Sequence, residues 1–307
     1  MQDTLETTYD AVIVGGSYAG LGAALMLARA LRRVLVVDGG RPCNRQTPHS
    51  HGFLTRDGET PARMTELARE QLLAYPTVAL WYDTVERAEP TAAGFALTTR
   101  TGQRVQARRL LLATGVMDEL PPLPGFAECW GISVLHCPYC HGYEVHGQPL
   151  GVLANGDAGF EFGRLLHQWS PDLRLLTNGP ATFTAGQAAA LAARGIGVEE
   201  QPLTALRHQQ GQLQAVVLAD GRELPLTALF ARVPFRQHSD LAAQLGCAHT
   251  EAGYIQVDEL GLTTVPGVYA AGDATTMMRQ LTAAAASGSK AGAAINRSLV
   301  EEDFALA

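Results

Sequence analysis

The first apolar run, Ala11-Val12-Ile13-Val14, is short, β-branched and uninterrupted, the pattern of a parallel strand covered on both faces. It runs into Gly15-Gly16-Ser17-Tyr18-Ala19-Gly20. An Ala- and Leu-rich stretch from about Leu21 to Leu31 follows, with the composition of a helix. A second run, Val34-Leu35-Val36-Val37, stops at Asp38. The same punctuation returns later: Leu111-Leu112 leads into Ala113-Thr114-Gly115, and Val268–Ala271 leads into Gly272-Asp273, with an alanine-rich helix starting near Gln280. In mid-chain, Leu150-Gly151-Val152-Leu153 meets Ala154-Asn155-Gly156-Asp157-Ala158-Gly159, and Leu173–Leu176 follows. Pro121-Pro122-Leu123-Pro124-Gly125 reads as a crossing between domains, and Gly246 to Gly253 as the return. The segment Thr282 to Ala286 is low in complexity and reads as the tightly packed start of a helix.

Composition narrows the classes. Of 307 residues, 47% are hydrophobic and 17% charged, which favours a folded globular chain over a disordered one. The net charge of −7 counts against a protein that grips nucleic acid by neutralising phosphates. Five cysteines are too few for a disulfide-built scaffold. Ala11 to Ala28 carries no charge, yet its glycines and the acidic start MQDTLETTYD argue against both a membrane span and a secretory signal. A soluble, cytoplasmic protein is expected.

Strand, glycine turn, helix, strand and acid together form a dinucleotide-binding unit. Its glycines let backbone N–H groups approach a pyrophosphate at a helix N-terminus, and Asp38 accepts hydrogen bonds from a ribose. Ser17 stands where the middle glycine belongs; it is small, and its hydroxyl can itself bind phosphate.

Between these segments lies His136-Cys137-Pro138-Tyr139-Cys140-His141. Two cysteines with this spacing suggest a redox disulfide, half of a zinc site, or two inert thiols. Zinc needs a second ligand pair; Cys43, Cys129 and Cys247 stand alone, so no metal is expected.

The stretch Thr263-Thr264-Val265-Pro266-Gly267-Val268-Tyr269-Ala270-Ala271-Gly272-Asp273 resembles the close of the flavin domain in thioredoxin-reductase-like flavoproteins. The order flavin half, CxxC, second nucleotide-like unit, flavin half resembles that family over essentially the whole chain. The resemblance implies an α/β fold of two Rossmann-like, three-layer ββα domains, the second inserted into the first. The expected boundaries are 1–116, 117–250 and 251–307. It further implies FAD held by Gly15, Ser17, Tyr18, Ala19, Gly20, Asp38, Gly39, Arg45, His51, Val85, Ala113, Thr114, Gly115, Gly272, Asp273, Gln280 and Leu281. By the same resemblance the CxxC is redox-active and meets the flavin after interdomain rotation. Cys140 is the flavin-facing sulfur and Cys137 the one exchanging with substrate. The family usually places an aspartate after the second cysteine as proton donor; here His141 stands there, able to take or give a proton near neutral pH.

The second nucleotide motif departs from the pattern. Its first glycine is Ala154, and Thr177-Asn178-Gly179 replaces the basic cluster that holds the 2′-phosphate of NADPH. The CPYC-HGYE segment, with His51-Gly52-Phe53-Leu54 and Arg56-Asp57-Gly58, resembles the dithiol oxidases of disulfide-containing natural products, the gliotoxin and holomycin enzymes. The expected partners are thus a small dithiol or disulfide, or a thioredoxin-like protein, with dioxygen as acceptor and a homodimeric assembly. The competing expectations are an NADPH-dependent reductase of thioredoxin or small disulfides and a flavin redox sensor without turnover.

Overall fold

Both faces of the first apolar run are covered, which is why it is unbroken in sequence. In the computed structural model, which describes residues 8–305, it becomes β1 (Thr8–Val14), followed by α1 (Tyr18–Arg29) and β2 (Val34–Val37). Residues 1–7 of the acidic start lie outside the described residues. Helix α1 begins before Leu21 because the glycine-rich turn is already helical from Tyr18. The chain continues through α2 (Pro61–Leu73), β3 (Val78–Trp81), the antiparallel pair β4 (Val85–Thr91) and β5 (Gly94–Thr99), and the long β6 (Arg104–Leu112). Strand β1 pairs in parallel with β2 and β6, and β2 with β3. Alternate side chains then sort into two cores. Ala11, Ile13, Val34, Val36 and Leu111 pack with Ala24 and Leu27 of α1. Val12, Val14, Leu35, Val37 and Leu112 pack with Val85, Phe95 and Leu97. The strand period of two thus produces a helix layer on one face and a strand layer on the other.

The middle of the chain repeats this plan. Its elements are β7 (Val116–Asp118), α3 (Phe126–Cys129), β8 (Val134–Leu135), α4 (Pro138–His141), β9 (Leu150–Leu153), α5 (Gly156–Leu166), β10 (Leu173–Leu176), α6 (Ala185–Ala193) and β11 (Gly197–Glu199). An antiparallel trio, β12 (Leu203–Gln209), β13 (Gln212–Leu218) and β14 (Glu223–Pro225), precedes β15 (Ala228–Ala231). The parallel sheet has the order β11-β10-β9-β15-β8. Phe162 and Leu166 of α5 cover one face, while Leu206, Leu213 and Val216 of the antiparallel trio cover the other. The chain ends with β16 (Phe235–Gln237), α7 (Leu241–Gln244), β17 (Val268–Ala270) and α8 (Leu281–Ala305). Strand β17 pairs in parallel with the end of β6. Helix α8 lies against α1 at backbone distance: a Cβ on Gly288 would stand 1.9 Å from the Ala19 carbonyl oxygen.

The chain forms two compact units, one holding residues up to Arg45, Pro61–Met117 and Phe235 onward, the other Gln46–Thr60 and Asp118–Pro234. This differs from the expected 117–250 insert in two ways. The return falls before Phe235, because Leu241, Ala242 and Cys247 pack into the first unit's core. The glycines from Gly246 to Gly253 mark a turn inside that unit, closed by the Thr250 N–H donating to the Tyr254 carbonyl at 2.8 Å. The segment Gln46–Thr60 goes with the second unit, which sequence spacing does not reveal. Among the described residues no helix is long and apolar enough to cross a membrane; the uncharged run Ala11–Ala28 is divided between β1 and α1.

Asp83, buried beyond β3, pins the first unit's strand layer. Its carboxylate accepts from the Thr84 N–H at 2.7 Å and from the Thr101 hydroxyl at 2.5 Å. The hydroxyls of Thr101 and Thr99, followed by these backbone donors, hold it far below the usual carboxylate range. A depressed carboxyl contributes stability above its unfolded value, about 3.9, and that contribution is lost as pH falls toward the folded value. Asp83→Asn is therefore expected to lower the urea midpoint at pH 6 and to flatten its further fall at pH 3; parallel acid limbs for the variant and the parent would refute this.

Candidate active site

The carboxyl ends of four parallel strands carry the sequence-predicted nucleotide residues, at the place where α/β sheets bind ligands. Gly15 leaves β1 with φ +113, and a Cβ there would stand 2.2 Å from the Ala113 carbonyl oxygen. The Gly15 N–H donates to the Val37 carbonyl and the Ala113 N–H to the Val14 carbonyl, both at 2.8 Å, so the ends of β1, β2 and β6 are tied together. Ser17 occupies the N-cap of α1 without a side-chain capping bond, leaving the positive end of that helix, with Tyr18, Ala19 and Gly20, suited to an anion.

Asp38 accepts from the Gly40 N–H at 3.2 Å and pairs with Arg69 of α2. A carboxylate has about four acceptor positions, so room remains for a ribose hydroxyl. Gly39 lies against Thr84, and Val85 is buried at the start of β4. The ring of His238 bonds the backbone of Thr114, while the backbone N–H of His238 donates to the Gly115 carbonyl at 3.3 Å. Burial pushes this imidazole down, and the charges of Arg41, Arg236 and Arg45 push the same way. The result is a neutral histidine among guanidiniums, electrostatics that fit a diphosphate. Asp273 lies in the 3₁₀ turn after β17, its carboxylate 3.8 Å from Arg279 Nε and 3.6 Å from the exposed Cys43 thiol. Gln280 and Leu281 lead directly into α8. The residues present thus fit a flavin dinucleotide.

The matching cradle of the second unit is closed by the chain itself. Asn155 caps α5: its Oδ1 accepts from the Gly156 N–H at 2.8 Å, the Thr182 N–H at 2.9 Å and the Thr182 hydroxyl at 3.2 Å. Its Nδ2 donates to the Pro180 carbonyl at 2.8 Å. This one side chain staples the segment after β10 onto the helix end where a pyrophosphate would sit. Acidic groups surround it. Asp157 is in the first turn of α5, Glu200 accepts from the Ala181 N–H at 2.8 Å, and Glu199 is paired with Arg222 at 2.9 Å.

Cys137 and Cys140 form a disulfide, with 5.3 Å between their Cα atoms, and both are half-buried. Cys137 is the N-cap of the short α4, and its Sγ accepts from the Cys140 N–H at 3.1 Å; after reduction that bond favours a thiolate at Cys137. Pro138 stiffens the turn, and Tyr139 stands exposed, edge-on to Trp169 at 5.5 Å between ring centroids. Burial is the largest influence on His141 and pushes its imidazole down, Glu144 pushes it up and His51 down. Among the described residues, no group of three or more His, Cys, Asp or Glu is arranged to hold a metal. Cys129 and Cys247 are buried, and burial pushes both thiols up, away from reactivity.

His51, grouped in sequence with the cofactor residues, belongs to the unit that carries the disulfide. Its Nε2 is 3.3 Å from a Glu144 oxygen and its Nδ1 3.6 Å from one of Asp57. Sequence reasoning missed Glu144, Arg69, His238 and the capping role of Asn155. Only Asn155 carried a local signal, as an Asn before a helix.

The pyridine nucleotide-disulphide oxidoreductase family model matches residues 9–288. The thioredoxin reductase tcpT of Claviceps purpurea is 33% identical over 298 residues, covering 92% of each chain. The crystal structure of a thioredoxin reductase, TrxB, from Bacillus anthracis superposes with a TM-score of 0.92 at 32% identity, covering 96% of this chain and all of that one. The crystal structure of HlmI does so at 0.91 and 38% identity, covering 97% of this chain and 94% of that one.

Proposed function

The chain belongs to the pyridine nucleotide-disulphide oxidoreductase family, and from that premise we propose that substrate dithiols, not NADPH, supply its electrons. It is an FAD-dependent disulfide oxidoreductase of thioredoxin reductase type, built from two Rossmann-like domains. The observation that carries the proposal is Asn155. It accepts from the Gly156 N–H at the N-terminus of α5 and ties the 180–182 segment to it, beside Asp157 in the first turn and Glu200, which accepts from the Ala181 N–H. A nicotinamide dinucleotide would have to break these bonds and place its phosphates beside carboxylates.

In this reading the FAD contacts are Gly15, Ser17–Gly20, Asp38, Gly39, Arg45, Val85, Ala113–Gly115, Gly272, Asp273, Gln280 and Leu281, and the flavin supplies a two-electron acceptor. His141 takes the proton of an attacking substrate thiol. That substrate sulfur attacks Cys137 Sγ and breaks its bond to Cys140, which takes the proton from His141; the second substrate thiol then attacks the first substrate sulfur, releasing Cys137 and a substrate disulfide, and its proton passes to Cys137. The substrate's two protons and two electrons are left on the cysteine pair. With dioxygen as terminal acceptor, the overall change is dithiol plus dioxygen to disulfide plus hydrogen peroxide. The reading includes a homodimer, as the family resemblance implies, and a cytoplasmic location, as the acidic N-terminal sequence suggests.

The relatives' names, thioredoxin reductase, and the pyridine nucleotide in the family's description favour a second reading, a reductase driven by NADPH. Anaerobic stopped-flow mixing separates the two. A dithiol should bleach the flavin rapidly, with recolouring and peroxide on admitting air, and NADPH and NADH should bleach it poorly. Each missing charge-assisted phosphate contact costs about 1.5–3 kcal/mol, so losing a basic cluster removes several orders of magnitude of affinity. Rapid bleaching by micromolar NADPH would restore the reductase.

A further inference from the structure

The segment Gln46–Thr60 leaves the first unit, joins the second and returns, and its Ser50 and Glu59 pair as an isolated bridge. Within it the Gly52 N–H donates to Asp57 at 2.7 Å and the Gly58 carbonyl meets His49 Nδ1 at 3.0 Å, so the loop is internally built. It delivers one imidazole to the redox unit. His51 is only partly exposed, at 22% of its side chain, and lies between two carboxylates: Glu144 at 3.3 Å and Asp57 at 3.6 Å. Glu144 follows His141 by three residues, in the turn that continues α4.

We propose that His51 and Glu144 are positioning residues for the dithiol chemistry, and that their ion pair governs how readily His141 takes the proton of an attacking thiol. The inference rests on the Cys137–Cys140 pair exchanging with a dithiol, and not on the identity of the terminal electron acceptor. Glu144 contacts the His51 imidazole directly and, three residues after His141 in the same turn, acts on the His141 imidazole through its charge. When it faces His51, less of its charge is left to stabilise a protonated His141. When His51 is absent, the carboxylate serves His141 alone. The charged groups that act on His141 are Glu144, from its own turn, and His51, from the crossing segment; Asp57 acts on His51. The uncharged wall is Trp169, whose indole nitrogen would lie 2.7 Å from a Cβ on Gly142. Burial favours a neutral, proton-accepting His141, and Glu144 offsets it.

The test is the pH dependence of thiol–disulfide exchange in FAD-loaded protein under nitrogen. Dithiothreitol is the probe; an acid quench and thiol labelling follow, and the labelled cysteine pair is counted by mass. Wild type should show a limb below the ordinary imidazole range that His141→Gln removes. Losing the carboxylate lowers the imidazole's affinity for a proton, so Glu144→Gln should move that limb to lower pH. Losing His51 removes the imidazole that holds Glu144 at 3.3 Å and leaves the carboxylate to His141, so His51→Asn should move it to higher pH. Shifts of about half a pH unit or more are expected for partly solvated neighbours at this range. Glu144→Asp should restore a midpoint near wild type. Flavin content and melting temperature equal to wild type establish that the variants are folded. A merely structural pair would change the amplitude and leave both midpoints in place, which overturns the proposal while leaving the dithiol reading intact. A wild-type pair that does not exchange at any pH overturns both.

Discussion

Cys140→Ser is expected to bring dithiol-driven flavin bleaching down to the uncatalysed background while the protein stays yellow. Exchange needs two sulfurs in sequence: one is attacked, the other leaves, and the reduced pair then hands on two electrons. With Cys140 gone, Cys137 is a free thiol with no disulfide for a dithiol to attack; a small disulfide added instead is opened by Cys137 and stranded there as a mixed disulfide, visible as a mass increment. Cys137→Ser should fail differently. It leaves Cys140 as a lone thiol, which on the proposed reading is the flavin-facing sulfur and should give a long-wavelength charge-transfer band, and it removes the Sγ that accepts the Cys140 N–H at 3.1 Å. Neither change enters a buried core, since both cysteines are half-buried in a short turn of the second unit. Flavin content is therefore the internal control. Turnover at the parent rate in both variants would make the pair structural.

Gly15→Val should yield colourless, much less stable protein. The position has φ +113, and its Cβ would stand 2.2 Å from the Ala113 carbonyl oxygen. That oxygen is backbone at the end of β6, so no rotamer change relieves the clash. A β-branched residue held at positive φ costs about 1–3 kcal/mol, and overpacking adds about 1–3 kcal/mol. Against a total stability of about 5–15 kcal/mol this is a large fraction. The expected fall in melting temperature is about 5–20 °C, with FAD lost in gel filtration because the turn no longer presents its N–H groups. Gly102→Ala separates conformation from collision: φ is +87 and nothing lies within 4 Å of the added Cβ. It should cost only the conformational part and leave the flavin bound. Equal behaviour of the two variants would show that the contact with Ala113 is not what makes Gly15 necessary.

The fold was legible because its signals are local. Strand runs such as Val34–Val37 are apolar at every position when both faces are covered, and a tight turn needs Gly15 whatever lies beyond it. Closure of the second cradle was half legible: Ala154 and the missing basic cluster announced a weakened site. The reason it is closed is Asn155, bonded to Thr182 across 27 positions. The boundary expected near Thr250 missed for a related reason. Glycines mark turns, but only packing tells whether a turn leaves the unit, and Leu241, Ala242 and Cys247 stay in the first core.

By itself the sequence determined the strand-turn-helix cradles, the redox pair in the middle of the chain and the histidine that follows it. Each depends on residues a few positions apart, where backbone geometry and spacing are enough. Only the tertiary structure decided which charges meet. Arg69 reaches Asp38 across 31 positions, three guanidiniums act on His238, and His51, which sequence grouped with the cofactor residues, stands 3.3 Å from Glu144 in the redox unit. The physical reason is that a charge interacts strongly only over a few ångströms, and the path of the chain between two elements, which no local pattern encodes, sets that distance.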